Sequence, residues 1–191
     1  MRIKKLIILL ISILCILAIG ITTILIVYNS GDNKEKIIVK GVVTDYLTKY
    51  KNLDGSCLQY LAMNITGSDM EFKGMQELFA KQLEFKIKSV KKTEDYYTVK
   101  TEIENVDYGN VMYKLKNEYA DSTTITGEKL TALIMSELAK SDVAKRNFSC
   151  DIIVSRYGNE YRIQMTPDLS NAILGGFNEF LENEIEERLQ Q

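Results

Sequence analysis

The chain contains no histidine and no tryptophan among its 191 residues, and it has one proline and three cysteines. Histidine is the usual general base near neutral pH and a frequent ligand of catalytic zinc. Its absence excludes Ser-His-Asp and Cys-His arrangements and most catalytic zinc sites. The sequence also lacks a glycine-rich phosphate loop and a calcium loop. We therefore expect no catalytic residue, no cofactor and no metal site, and a protein that is not an enzyme.

One long apolar run, residues 6–28, stands at the start of the chain. At about 1.5 Å rise per residue, a helix of this length crosses the roughly 30 Å hydrocarbon core of a bilayer. The basic residues Arg2, Lys4 and Lys5 precede the run. Positive charge on the short side predicts that residues 1–5 are cytoplasmic and that everything after the run is extracytoplasmic.

The same run has two other interpretations, a cleaved secretory signal and a lipidated cysteine at Cys15. A signal has a shorter apolar region followed by small residues, whereas this run ends in Val27 and Tyr28. Leu14, rather than a small residue, precedes Cys15. The length of the run favours an uncleaved single-pass anchor in the cell membrane.

The rest of the chain has the composition of one mildly acidic domain. Without the three N-terminal cations, 21 basic residues stand against 26 acidic ones, a net charge of −5. Interspersed lysine and glutamate indicate a soluble surface and no nucleic-acid partner. Residues 29–35 are predicted to form a short polar linker, and residues 36–191 are predicted to form one extracytoplasmic domain.

Two cysteines, Cys57 and Cys150, fall in this domain. An even pair in an oxidising compartment is a candidate disulfide, which would close a long loop. The alternative is two buried thiols that act as small apolar residues.

Apolar periodicity predicts three helices, a hairpin, two helices, a second hairpin and one long final helix. Two hairpins that merge into one sheet give an α+β fold, with helices on one face of an antiparallel sheet of about four strands. Asp107 and Thr166 have the residue types of N-caps. The predicted helices are 36–51, 56–63, one from Ser68 or Asp69, one from Asp107, one from about Thr126, and 166–189; the predicted strands centre on 85–89, 97–103, 148–154 and 161–165.

Gly175 and Gly176 interrupt the pattern of the final helix, at a cost near 1 kcal/mol each. Close packing against the sheet is one explanation, and a hinge that frees an acidic helix end is the other. The acidic residues lie at a helix C-terminus, where the macrodipole disfavours them, which indicates that this end frays or meets a partner.

Eleven tyrosines are the most prominent aromatic feature of the chain. Tyrosine combines an apolar ring with a polar tip, and it is common at pocket mouths and partner surfaces. The alternative is that these rings cap the edge of the core. The residues predicted to line a pocket or partner surface are Tyr46, Tyr50, Tyr97, Tyr113 and Tyr119.

Three local patterns resemble a known superfamily. They are the helix–Asn-Leu-Asp–helix opening at 36–63, the strand end at 103–107, and the hairpin that runs into 166–169. They resemble domains of unknown function in membrane-anchored or lipoprotein-like proteins of Gram-positive bacteria, assigned to the NTF2-like/cystatin-like superfamily. The resemblance implies a cone of helix and curved sheet, used more often for binding or assembly than for catalysis. It carries over no catalytic residue, and enzymes of this type that need an Asp-His pair are excluded.

These observations favour a membrane-anchored, extracytoplasmic binding or assembly module without enzymatic activity, whose partner is a protein or a small ligand. One alternative is a scaffold subunit of an envelope secretion or conjugation complex. Another is a hydrolase that uses carboxylates alone.

Overall fold

The computed structural model describes residues 31–54, 69–119 and 126–190 of the chain. The predicted anchor at 6–28 and the predicted helix at 56–63 both lie outside these described residues. Across the described ranges, no helix has the length and apolar character needed to cross a membrane.

The chain divides into two units between Ile38 and Val39. In the first unit, residues 31–38 are helical, and Lys36 pairs with Asp32 at 2.7 Å, one helical turn away. Residues 31–35 of the predicted linker at 29–35 are thus helical, and residues 29 and 30 lie outside the described residues. An ion pair between residues i and i+4 stabilises a helix locally, which helps to explain why this polar stretch is helical.

The second unit is an α+β domain in which six described helices accompany a four-stranded antiparallel sheet. This arrangement confirms the predicted α+β class and the two predicted hairpins that merge into one four-stranded antiparallel sheet. Its elements are α1 (39–51), α2 (Asp69–Gln82), β1 (Glu84–Lys92), β2 (Tyr96–Val106), α3 (Tyr108–Glu118), α4 (Gly127–Leu138), β3 (Lys145–Tyr157), β4 (Glu160–Gln164), α5 (Pro167–Ile173) and α6 (Phe177–Leu189).

The sheet has the order β1-β2-β3-β4, so both predicted hairpins are joined through the long β2–β3 pairing. Strand β2 alternates between buried and exposed side chains, which gives the sheet one apolar face. The buried side chains of β2 lie opposite those of β3, for example Val99 opposite Ile152 and Ile103 opposite Phe148. The core is formed between this face and the helices.

Side-chain caps fix where three helices begin. Asp107 accepts a hydrogen bond from the backbone N–H of Asn110 at 3.1 Å at the start of α3. Thr126 caps α4, and Thr166 accepts from the N–H of Leu169 at 3.2 Å at the start of α5. The predicted N-caps Asp107 and Thr166 and the predicted start near Thr126 are confirmed, because capping is encoded within one turn of sequence.

The prediction of a single helix over 166–189 is wrong. Helix α5 ends at Ile173, and Gly175 and Gly176 both adopt left-handed backbone conformations, with φ of 61° and 82°. A Cβ on Gly175 would lie 2.5 Å from the carbonyl oxygen of Val106, so close packing explains this glycine. Asn171 further fixes the break, because its side-chain oxygen accepts from the N–H of Glu179 at 3.0 Å.

Two side chains tie α5 to the rest of the domain through one carbonyl group. The hydroxyl of Tyr50 in α1 donates to the carbonyl oxygen of Ile173 at 3.1 Å. The side-chain amide of Asn105 in β2 donates to the same oxygen at 2.9 Å. All three residues are completely buried, so these bonds satisfy a helix C-terminal carbonyl that water does not reach.

Candidate functional site: a tyrosine-lined groove at the sheet edge

A groove of about 880 Å³ lies between α1 and strand β4. Three tyrosines contribute to its wall, together with aliphatic side chains, one methionine and a small number of charged groups. The residues that line it are Val42, Asp45, Tyr46, Lys49, Tyr157, Tyr161, Arg162, Ile163, Gln164 and Met165.

The α1 side of the groove follows from helical spacing. Val42, Tyr46 and Lys49 recur at steps of four and three residues, which places them on one face of the helix. Asp45 lies beside them, and its carboxylate pairs with the ammonium of Lys49 at 2.7 Å. This wall therefore has an apolar and aromatic centre beside an ion pair that is exposed to solvent.

The β4 side of the groove comprises five consecutive residues, 161–165. Successive side chains of a strand point to opposite faces of a sheet, so a groove on one face would be lined by every second residue. A run of consecutive lining residues means that the groove follows the edge of the strand and reaches both faces. Strand β4 is at the end of the sheet order, and no strand of the described ranges pairs with its outer edge.

Tight hairpin geometry determines which backbone groups of β4 point outward. Tyr157 is opposite Glu160 across a two-residue turn, and Gly158 has a φ of 62° at the first central position. A two-residue turn is closed by a hydrogen-bonded pair, and hydrogen-bonded and non-hydrogen-bonded pairs then alternate along the strands. Tyr161 and Ile163 consequently direct their N–H and C=O groups to the outer edge, beside the groove.

The ring of Tyr161 is held in place by its neighbours. Tyr97 packs edge-on against it, with ring centroids 6.0 Å apart, and the guanidinium of Arg156 lies 5.9 Å from its centroid. Arg162 lies 5.3 Å from the centroid of Tyr157 and pairs with Glu160 at 3.2 Å. The groove thus presents ordered aromatic surfaces with cations beside them.

The structure distributes the five predicted tyrosines among different environments. Tyr46 lines the groove, and Tyr97 is buried directly behind Tyr161. Tyr50 is buried and has the structural role described above, Tyr113 is 68% exposed on α3, and Tyr119 is half-buried at the C-terminus of α3. Only Tyr46 of the five contributes directly to the groove.

Sequence reasoning missed Tyr157, Tyr161 and Arg162 as groove residues. The alternation Tyr161, Ile163 and Met165 in the predicted strand was a signal for them. It would have identified one face of the last strand, but the sequence did not place that strand at the sheet edge beside α1.

Cys150 is buried on the apolar face of the sheet, and it forms no disulfide within the described residues. Burial raises the pKa of this thiol to about 11, and the neighbouring carboxylates of Asp151 and Asp168 act in the same direction. A thiol in this state is a poor nucleophile at neutral pH. Cys57 lies outside the described residues, and its pairing with Cys150 stays a prediction.

Acidic side chains do not converge at the groove. In the part of the chain that the structure describes, no three cysteine, aspartate or glutamate residues are grouped so that they could hold a metal ion. The groove offers aromatic surface, an edge-strand backbone and fixed charges.

Comparison with known proteins gives little further information. No protein-family model matches the chain, and no curated protein matches it. A similar solved structure is that of YcdA from Bacillus subtilis, provisionally assigned as a lipoprotein, with 13% sequence identity and a TM-score of 0.38. The similarity covers 72% of this chain and 46% of YcdA, so the chain spans less than half of that protein. It assigns neither a function nor the NTF2-like superfamily.

Proposed function

We propose that this protein is a membrane-anchored, extracytoplasmic binding module that takes up an extended peptide segment of a partner protein. The peptide lies in the groove and adds to the sheet as a fifth strand beside β4. The observation that carries the proposal is the run of consecutive lining residues 161–165, because the groove then follows a strand edge with which no strand of the described residues pairs. Strand addition to a sheet edge is a recurrent mode of peptide recognition.

Backbone groups would supply part of the affinity. The outward N–H and C=O groups of Tyr161 and Ile163 give two donors and two acceptors at the edge. Each hydrogen bond contributes about 0.5–1.5 kcal/mol net. This contribution is independent of peptide sequence, so it favours an extended backbone over a folded ligand.

Side chains of the groove would supply selectivity. Alternate side chains of an added strand point to the same face, so every second residue of the peptide faces α1. Tyr46, Tyr161 and Met165 form an apolar wall there, and methionine adapts to irregular shapes. Arg162 favours an acidic residue on the opposite side of the peptide. The expected ligand therefore alternates aromatic or aliphatic residues with polar residues, including at least one acid.

Anchoring by residues 6–28 and an NTF2-like fold are parts of the same proposal. The anchor rests on the length of the apolar run and on the N-terminal cations. It is tested by washing membranes with alkaline carbonate. A single-pass chain stays in the pellet at the mass of the uncleaved sequence. Recovery in the supernatant, or of a shortened chain, contradicts it.

The groove is tested with the full chain reconstituted in nanodiscs and screened against a random 12-residue peptide library displayed on phage. A selected peptide is then synthesised with one N-methyl group at each position in turn. Strand addition predicts an at least tenfold loss of affinity at every second position. A loss without this alternation, or no selected peptide, contradicts the proposal.

Substitutions in β4 distinguish the contribution of the backbone to peptide affinity from that of the side chains. Ile163→Pro removes an outward N–H, and proline is tolerated on an edge strand when the missing N–H faces outward. It is expected to weaken binding about tenfold, whereas Ile163→Val, which keeps the N–H, changes affinity less than threefold. Tyr161→Ala is expected to weaken binding as well, and Tyr113→Ala on α3 is its matched control. Circular dichroism checks that each variant is folded.

A further inference from the structure

Helix α6 carries an apolar stripe that the described residues of the domain leave partly or largely exposed. Leu181, Ile185 and Leu189 recur at steps of four residues, and they are 40%, 59% and 81% exposed. Residues at this spacing lie on one side of a helix. The three leucine and isoleucine side chains therefore form a continuous exposed surface, here called the α6 stripe.

The buried side chain of Phe177 precedes Leu181 by four residues, so the start of the same row attaches α6 to the domain together with Phe180. The ring of Tyr108 lies edge-on to Phe177 and Phe180, with centroid distances of 5.0 Å and 5.3 Å. Lys116 of α3 pairs with Glu184 and lies 5.7 Å from the centroid of Phe180. Because each residue turns a helix by about 100°, a row at steps of four turns gradually away from Phe177, and the exposed fraction rises from 40% at Leu181 to 81% at Leu189. The α6 stripe is thus presented by a helix that is already held in position.

Charge on α6 is mostly negative. Helix α6 contains five glutamates and one basic residue, Arg188. Glu182 and Glu186 follow Leu181 and Ile185 directly, so they border the α6 stripe on its solvent side. In the described part of the chain, neither carboxylate has an ion pair. Acidic groups near a helix C-terminus are unfavourable, and a cationic neighbour would relieve that cost.

We propose that the α6 stripe is a docking surface for an amphipathic helix of a partner protein whose apolar face is bordered by lysine or arginine. The apolar side chains define the contact, and the glutamates select the charge of the partner. Pairing with a second copy would bring the two glutamate borders together, and an anionic membrane surface would be repelled. Helix-on-helix docking of this kind uses residues at i and i+4 as anchors. The proposal concerns a surface separate from the β4 groove and does not depend on it.

The test uses the full chain in phosphatidylcholine nanodiscs, with empty nanodiscs subtracted. The probes are two fluorescent 18-residue amphipathic helices with identical leucine faces, one with lysine and one with glutamate on the polar face. The lysine peptide is expected to bind at least tenfold more tightly than the glutamate peptide. Leu181→Ser with Ile185→Ser is expected to weaken the lysine peptide at least tenfold. Ile37→Ser, which removes an exposed apolar side chain elsewhere, is expected to change its affinity less than twofold.

A charge reversal gives the second readout. Glu182→Lys with Glu186→Lys is expected to invert the preference between the two peptides, and Glu128→Lys on α4 is the matched control. Equal binding of both peptides, or lysine-peptide binding that survives the serine substitutions, overturns the proposal. Sedimentation provides another outcome. A dimer of the parent chain that the serine substitutions abolish would identify the α6 stripe as a self-association surface and overturn it as well.

Discussion

Gly175 lies directly against the backbone of Val106: a Cβ at Gly175 would approach the Val106 carbonyl oxygen to 2.5 Å. The contact joins the end of α5 to the end of β2, and the carbonyl of Gly175 accepts from the N–H of Tyr108 at 2.9 Å. The chain therefore passes the sheet at a distance that only glycine permits.

Alanine substitutions at three glycines distinguish destabilisation by a steric clash from destabilisation by backbone strain. Gly158, Gly175 and Gly176 all have positive φ, but only Gly175 lacks room for a Cβ. Gly158→Ala and Gly176→Ala should each lower the free energy of unfolding by about 1 kcal/mol through backbone strain. Gly175→Ala should lower it by more than about 3 kcal/mol, since backbone must also move. Urea unfolding measures the three values, and equal losses would contradict the steric argument.

Tyr50 and Asn105 should act on stability as a coupled pair, because both donate to the carbonyl oxygen of Ile173. Tyr50→Phe alone should lower the free energy of unfolding by about 1 kcal/mol, since the carbonyl of Ile173 keeps its hydrogen bond from Asn105. Asn105→Leu should cost more, because Asn105 also accepts from the N–H of Val106 at 2.8 Å. The double variant leaves a buried carbonyl without a side-chain donor, so its loss should exceed the sum by about 0.5 kcal/mol or more. Strict additivity in the urea midpoints would refute the shared-acceptor interpretation.

Stability should decrease in alkaline solution because buried acids hold their protons more tightly in the folded state. Burial raises the pKa of Tyr108 to about 12 and that of Cys150 to about 11, and it raises the pKa of Tyr50 further. The unfolded values are about 10 for tyrosine and about 8.5 for cysteine. The stabilisation is complete below the unfolded values and is lost as the pH rises through the folded ones.

The loss should therefore begin near pH 9 and continue to about pH 12. Tyr108 should account for roughly 2–3 kcal/mol of it, at about 1.4 kcal/mol per pKa unit. Tyr108→Phe should make the free energy of unfolding less dependent on pH between 10 and 12, and Tyr113→Phe removes an exposed hydroxyl as a control. If Tyr108→Phe leaves the pH dependence of the free energy of unfolding unchanged, another group is responsible for the loss of stability.

The side-chain caps at the start of α5 and α3 should each contribute to the stability of the domain. Thr166→Ala removes the acceptor for the N–H of Leu169 and should cost about 1 kcal/mol. Asp107→Ala should cost a similar amount, while Asp107→Asn keeps an acceptor oxygen and should cost less. Thermal unfolding of the parent chain and the three variants ranks their stabilities. If Thr166→Ala leaves the stability unchanged, Pro167 alone determines the start of α5.

The accuracy of the sequence predictions depended on how far each signal extends along the chain. Asp107 and Thr166 act within one turn, so the sequence predicted them as caps. The break at Gly175 was missed as a helix end because residues at steps of four continue on both sides. Its cause is the approach of Val106, a residue far away in the sequence.

The candidate site was predicted only in part for the same reason. Tyr46 could be proposed from residue type and helical spacing. The role of Tyr161 depends on the position of β4 at the sheet edge, which strand order determines and local pattern does not. Residue type alone also selected Tyr50, whose ring and hydroxyl are used entirely within the core.

The hydrogen bond between Tyr50 and Ile173 also affects the timing of folding during synthesis. The two residues are 123 positions apart in the chain. At about 5–20 residues per second, roughly 6–25 seconds pass between their appearance at the ribosome. Throughout that interval the hydroxyl of Tyr50 lacks the acceptor that it has in the folded domain. The link between α1 and α5 can therefore form only after nearly all of the domain has been made.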